Sequence, residues 1–108
     1  MSVSATASLK LSTREPEMTI KWVKSDPLVM NGEPFVYGTR LTVRRLLELR
    51  ASGYDAQRLM GEMPELRVVG IARAYEFAAA NREHYAEFFD TNGQLQGPGL
   101  TPAEAALA

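Results

Sequence analysis

The chain has 108 residues, 45% of them hydrophobic and 8% aromatic, and a formal net charge of −1; these values bound it to one globular domain and argue against a generic polyanion binder. It contains no cysteine, which removes disulfides and thiolate chemistry and fits a reducing compartment. No run approaches the roughly 20 apolar residues of a membrane span, and residues 1–10 lack the basic start and apolar run of a secretory signal, so a cytoplasmic protein is expected.

Residues 1–17 are rich in Ser, Thr, Ala and charge without a sustained period, which predicts a disordered arm, with Met18 opening the patterned region. Thr19-Ile20-Lys21-Trp22-Val23 alternates and favours a short strand. Asn31-Gly32 between Leu28-Val29-Met30 and Phe35-Val36-Tyr37 predicts a hairpin with a type I′ turn, because both residues tolerate positive φ. Pro34 cannot donate to a ladder, so its strand belongs at an edge or beside a bulge.

Gly38-Thr39-Arg40 breaks the strand pattern, and Thr42 caps a first helix whose stripe is Val43, Leu46, Leu47 and Arg50, with Leu49 beside it. Gly53 stops it. Asp55 caps a second, short helix with Leu59, Met60 and Met63 inward, ended by Pro64. A third helix is predicted over residues 68–89, its stripe formed by Ile71, Ala74, Tyr75 and Ala78. Gly70 near its start costs about 1 kcal/mol relative to Ala, so that end is either frayed or closely approached. Breakers follow at Asn92-Gly93 and Gly97-Pro98-Gly99, and residues 91–108 read as a flexible C-terminal tail. Within it, Leu100-Thr101-Pro102-Ala103-Glu104 is a capping box able to start one or two marginal turns. The fold class is therefore mainly α: an N-terminal β-hairpin arm and a three-helix bundle, together spanning residues 18–90.

Catalytic chemistry is scarce. His84 is the only histidine and reads as an exposed surface residue; no multi-histidine metal site can form in one protomer. There is no nucleophile-elbow, Walker-type or dinucleotide-binding motif. Glu62 and Glu65 are separated by Pro64, and nothing in the sequence drives their pKa values apart. The chain is expected not to be an enzyme, and no cofactor or metal is implied.

Charge is distributed unevenly. Residues 39–73 hold seven arginines against four carboxylates, whereas residues 74–108 hold Arg82 against five. Such asymmetry can make one basic face on a neutral molecule, although solvated helix faces would show it too. Two short helices, a turn and a longer third helix suit the helix-turn-helix arrangement, in which the third helix enters the DNA major groove. There Arg67 and Arg73 would read guanine or pair with phosphate, Gly70 would permit close approach, and Arg44, Arg45 and Arg58 would hold phosphates. A helical bundle with exposed arginines fits these residues equally well.

Ser25-Asp26-Pro27, Gly32-Glu33-Pro34 and Gly38-Thr39-Arg40-Leu41-Thr42-Val43 together resemble the opening signature of the domain of unknown function 433 family. The leucine-rich helix, the break at Gly53, Met63-Pro64-Glu65-Leu66 and Ala74-Tyr75 extend the resemblance over about residues 19–85. It implies a homeodomain-like helix-turn-helix fold and a VapB-type antitoxin that represses its own operon and neutralises a toxin, often a PIN-like nuclease. The motif residues Gly32, Pro34, Gly38, Thr39 and Arg40 carry the match. Gly38 is expected to permit an unusual backbone, Thr39 or Thr42 to cap the helix, and Arg40 to tie the arm to the bundle or to phosphate. The chain departs from the family pattern at Arg67-Val68-Val69-Gly70, where a Thr or Ser cap followed by acidic residues is usual. That change leaves a more basic helix start, favourable to an anion.

Two functions are therefore expected. The first is a dimeric antitoxin binding double-stranded operator DNA, with the acidic segment 90–108 folding onto the toxin. Its dimer would form through the hairpin edge or through Tyr85, Phe88 and Phe89. The second is a protein-protein interaction module that does not touch DNA.

Overall fold

A computed structural model describes residues 21–108. The predicted arm at residues 1–17, the start at Met18 and the first two residues of the Thr19 strand lie outside the described residues.

A short strand, β1 (Val23–Lys24), pairs antiparallel with β2 (Phe35–Val36), Val23 opposite Val36 and Lys24 opposite Phe35. The hairpin predicted from Asn31-Gly32 is thus real in kind and wrong in register. Asn31 and Gly32 do take positive φ, 57° and 80°, but Met30 joins them at 50°. These three left-handed residues close a ten-residue connection, 25–34, instead of a two-residue turn. The reason is local hydrogen bonding by Asp26 and Ser25. Asp26 Oδ1 accepts from the Leu28 N–H at 2.9 Å, its carbonyl accepts from the Val29 N–H at 2.9 Å, and the Ser25 hydroxyl donates to the Gly32 carbonyl at 2.6 Å. Turn chemistry of this kind uses up Leu28-Val29-Met30, leaving pairing to Val23-Lys24.

The Gly38-Thr39 motif makes the next corner. The Thr39 N–H donates to the Val36 carbonyl at 3.1 Å, closing a four-residue turn, and Gly38 stands third in it with φ +82°. That is the position where a type II turn requires glycine. Thr39 is buried, and its hydroxyl donates to the Val36 carbonyl at 2.9 Å while accepting from the Leu41 N–H at 3.0 Å. Thr39 therefore latches the corner, and Thr42 alone caps the first helix, accepting from the Arg45 N–H at 3.0 Å. The Pro34 carbonyl accepts from the Val43 N–H at 2.9 Å, satisfying one of the orphan donors at that helix start.

Helix α1 (Val43–Ala51) buries Val43, Leu46 and Leu47, as its pattern predicts. It ends at Gly53, φ +105°, in a Schellman arrangement: Gly53 N–H donates to the Arg50 carbonyl and Tyr54 N–H to the Leu49 carbonyl. Helix α2 (Ala56–Glu62) is capped by Asp55 and buries Ala56 and Leu59. Helix α3 (Val68–Ala80) buries Gly70, Ile71, Ala74, Tyr75 and Ala78. It stops nine residues short of the predicted end at Phe89. There the Asn81 side chain donates to the Phe77 carbonyl at 2.8 Å, and the chain turns to bring Tyr85 (0% exposed) and Phe88 (9%) into the same core. Burial of two aromatic rings outweighs the helix propensity of the Ala78-Ala79-Ala80 run.

Residues 91–108 fold back along the bundle. Asp90 Oδ1 accepts from the Asn92 and Gln94 N–H groups, Leu95 pairs with Phe89, and Leu95 and Leu100 pack on the core. Helix α4 (Pro102–Leu107) forms on the predicted capping box, with Thr101 and Glu104 bonded reciprocally, and lies against α3. The architecture is mainly helical, four helices and a small antiparallel sheet near the start of the described residues. Helix α3 touches both strands and the other three helices, so it is the centre of the fold. No helix among the described residues is long and apolar enough to cross a membrane.

Candidate functional site

The five arginines picked out for DNA contact occupy separate surroundings. Arg44, on α1, is ion-paired with Glu87 and donates to the His84 carbonyl at 3.0 Å, with its guanidinium 5.2 Å from the Tyr85 ring centroid and 5.6 Å from that of Phe88. It holds the 84–88 turn to the bundle. The Glu87 carboxyl lies below the usual carboxylate range because its own backbone N–H bonds it, with the hydrogen bond and charge of Arg44 adding to the effect. Arg45 pairs with Glu48 at 3.0 Å on an open face. Arg58 lies 3.9 Å above the Tyr54 ring and 3.5 Å from Glu62. Arg73 pairs with Glu76 at 3.3 Å, and its Nε is buried without a hydrogen-bond partner.

Arg67 differs from these. It is exposed at the N-cap of α3, where no side chain caps the first turn and no acidic residue stands in it. Among the described residues no ion pair or hydrogen bond engages the Arg67 or Arg40 side chains. Arg40 is exposed, so it does not tie the hairpin to the bundle through any described residue.

Gly70 is closely approached, as expected of a glycine near this helix start, but from within the molecule. It faces inward, and a Cβ there would stand 2.9 Å from Val36 Cγ1 and 3.5 Å from Trp22 Cε3. The close approach that glycine permits is that of the protein's own hairpin, not of a groove outside. Tyr85 and Phe88 are likewise spent inside the molecule, which removes them as the proposed dimer interface. His84 is exposed, as expected, with its ring edge-on to Tyr85.

Sequence reasoning passed over Arg50. Its Nε donates to the Gln96 carbonyl at 3.1 Å and its Nη2 to the Leu95 carbonyl at 3.3 Å, and the guanidinium covers Tyr75 at 4.5 Å. Burial pushes the Tyr75 phenol up, and the adjacent Arg50 charge opposes that rise. A signal was present: Arg50 shares an otherwise apolar stripe, where an arginine needs a specific partner. Among the described residues no cluster of His, Asp and Glu side chains forms that could hold a metal ion.

A short two-stranded antiparallel sheet packed on a central helix, with a capped α1, defines a small, mainly helical module. The sequence model described as "Protein of unknown function (DUF433)" matches residues 23–78, more than half of the 108 residues, and the chain belongs to that family. A crystal structure of a DUF433 member protein from Anabaena variabilis ATCC 29413 is similar, with a TM-score of 0.61 at 22% identity, covering 67% of this chain and 71% of that one. That likeness concerns the fold alone. No curated protein compared with the chain matches it.

Proposed function

We propose that this protein is a non-enzymatic binding module, the antitoxin of a toxin-antitoxin pair. In this reading the homeodomain-like trio α1–α3 holds operator DNA as a homodimer in the cytoplasm, and the chain neutralises a PIN-like nuclease toxin. The observation that carries the DNA contact is the start of α3, where uncapped N–H groups and the exposed Arg67 coincide with no carboxylate in the first turn. Uncapped N–H groups at a helix start attract phosphate, and an arginine beside them adds a charge-assisted bond. Exposed Arg45 and Arg58 supply further phosphate contacts by exchanging their neighbouring carboxylates for the polyanion. The acidic segment with α4, whose Leu107 is 75% exposed, is the part offered to the toxin.

The test is a salt series with DNA from upstream of the protein's own reading frame. Affinity falling steeply with salt, and weakened by about 1 kcal/mol or more in Arg67→Ala, supports the reading. No binding at low salt removes the operator role.

A second reading is favoured by the pairing of Arg44, Arg45, Arg58 and Arg73 with carboxylates. In it the module binds protein only, and Leu28, 94% exposed on the 25–34 loop, is a contact point.

A further inference from the structure

The 37–40 corner is tied down by its own backbone and by Thr39, and it holds two large side chains out to solvent. Gly38 supplies its left-handed step, φ +82°. The Val36 N–H donates to the Leu41 carbonyl across its base at 2.9 Å, and the buried Thr39 hydroxyl bonds both residues. Tyr37 and Arg40 stand at its two ends, both exposed, Tyr37 to 45%. Strand β1 and the residue before it add two neighbours. The Trp22 carbonyl accepts from the Tyr37 N–H at 2.7 Å, and its ring meets the Tyr37 ring edge-on with centroids 6.0 Å apart. Lys24 Nζ lies over the same Tyr37 ring, 5.1 Å from its centroid. Trp22 is itself seated on α3, where a Cβ at Gly70 would stand 3.5 Å from its Cε3.

The charges here are arranged differently from those on the helices. Arg44, Arg45, Arg58 and Arg73 are each paired with a carboxylate, whereas among the described residues no ion pair involves Lys21, Lys24 or Arg40. The carboxylates of the hairpin, Asp26 and Glu33, belong to the 25–34 connection at its opposite end. Asp26 is turned to the Leu28 N–H. Glu33 has a buried Oε1 and acts on the Tyr85 phenol in the core. On α3, which packs against the hairpin, Glu76 is tied to Arg73 at 3.3 Å. The corner end of the hairpin is thus its basic end, and two aromatic rings stand among the cations. A partly exposed ring flanked by cations fits an unstacked base and the phosphates beside it. A duplex hides its base faces in the stack, and an acidic peptide brings charge without a flat face to cover the ring.

We propose that the hairpin end formed by Trp22, Lys24, Tyr37 and Arg40 binds single-stranded nucleic acid. One base stacks on the Tyr37 ring, displacing the Lys24 ammonium to a flanking phosphate, and Arg40 takes the phosphate on the other side. None of these residues belongs to the α3 start, and a single strand needs no operator sequence. Operator binding and strand binding can therefore fail independently.

Trp22 is the single tryptophan of the chain, so its fluorescence reports on this surface directly. The experiment titrates the full chain at low salt with an oligothymidylate of about 12 nucleotides, and with an oligouridylate, a duplex of equal length and polyglutamate. The expected result is saturable quenching by the single strands, with the duplex and polyglutamate much weaker; the tighter of the two strands tells DNA from RNA. Tyr37→Leu, which removes the flat ring and keeps apolar bulk, is expected to weaken the single strand by about ten-fold. Arg40→Gln is expected to lower the slope of log affinity against log salt by about 0.7, the share of one phosphate contact on a single strand. No quenching, quenching equally strong with duplex or polyglutamate, or a single-strand affinity and salt slope unchanged in both variants would overturn the proposal.

Discussion

Gly97 sits against the backbone carbonyl of Arg50 so closely that a Cβ on it would stand 1.8 Å from that oxygen. With φ at +91°, the position is closed to other residues by both backbone conformation and space. The contact brings the C-terminal segment onto the end of α1, where the Arg50 side chain binds the carbonyls of Leu95 and Gln96. Gly97→Ala is therefore expected to undock residues 94–107 at a cost of about 2 kcal/mol. The loss is expected to be limited to the segment's own docking energy, with the α1–α3 core staying folded on its release. Hydrogen exchange checks this: the amides of Gln96 and Ala105, which donate to Phe88 and Thr101, lose protection while those of α3 keep theirs. Retained protection at Gln96 would show that the backbone yields without undocking.

Gly70 sets two effects of similar size against each other. Alanine in place of glycine gains about 1 kcal/mol of helix propensity. The added Cβ, however, meets Val36 Cγ1 at 2.9 Å and the Trp22 ring at 3.5 Å. Val36 is β-branched and 1% exposed, so it has no alternative rotamer to move into. Overpacking of this kind costs about 1–3 kcal/mol, and Gly70→Ala is expected to destabilise by about 1 kcal/mol on balance. Urea unfolding followed by Trp22 fluorescence measures it, and a midpoint unchanged or raised would mean that the hairpin shifts freely on α3.

Legibility in the sequence followed the range of the interaction. The caps at Thr42, Asp55 and Thr101 could be read because each side chain bonds a backbone N–H three residues on. The left-handed backbone of Asn31 and Gly32 could be read too, while the strand register could not. Val23 pairs with Val36 only because Asp26 and Ser25 close the loop between them. The end of α3 was hidden for a different reason. Local propensity at Ala78-Ala79-Ala80 favours more helix, and the gain from burying Tyr85 and Phe88 exists only in the assembled core. Gly70 was noticed as a site of close approach, and only the tertiary structure shows that Val36 is what approaches.

Thr39 is the buried polar residue of the family motif. Thr39→Val keeps shape and removes both hydroxyl hydrogen bonds, leaving the buried Leu41 N–H without an acceptor. An unsatisfied buried donor costs about 1–3 kcal/mol, so a loss of about 2 kcal/mol is expected, whereas Thr39→Ser, which keeps the hydroxyl, is expected to lose under about 1 kcal/mol. Thermal unfolding of the two variants side by side separates the hydroxyl from the methyl. Equal losses would assign the role to packing.

Tyr85 is fully buried, and its hydroxyl has no hydrogen-bond partner. Burial raises its pKa above the ordinary phenol value of about 10, Glu33 adds to the rise and Arg44 opposes it. A raised pKa in the folded state means that folding favours the protonated phenol. The associated stability is complete below the unfolded value near 10 and is lost as pH rises through the folded value. Tyr85→Phe removes the titrating group together with an unsatisfied polar atom. At pH 7 the variant is therefore expected to be as stable as the parent or slightly more so, since no hydrogen bond is given up. Above about pH 10 the parent loses stability that the variant retains, apart from the similar contribution of Tyr75, whose phenol is also raised. Urea midpoints across that range for the parent, Tyr85→Phe and Tyr75→Phe test this directly. If the alkaline limb of Tyr85→Phe superimposed on the parent's, the Tyr85 ring would have to be reached by water in solution, and the folded-back 84–88 turn would not be the closed structure described above.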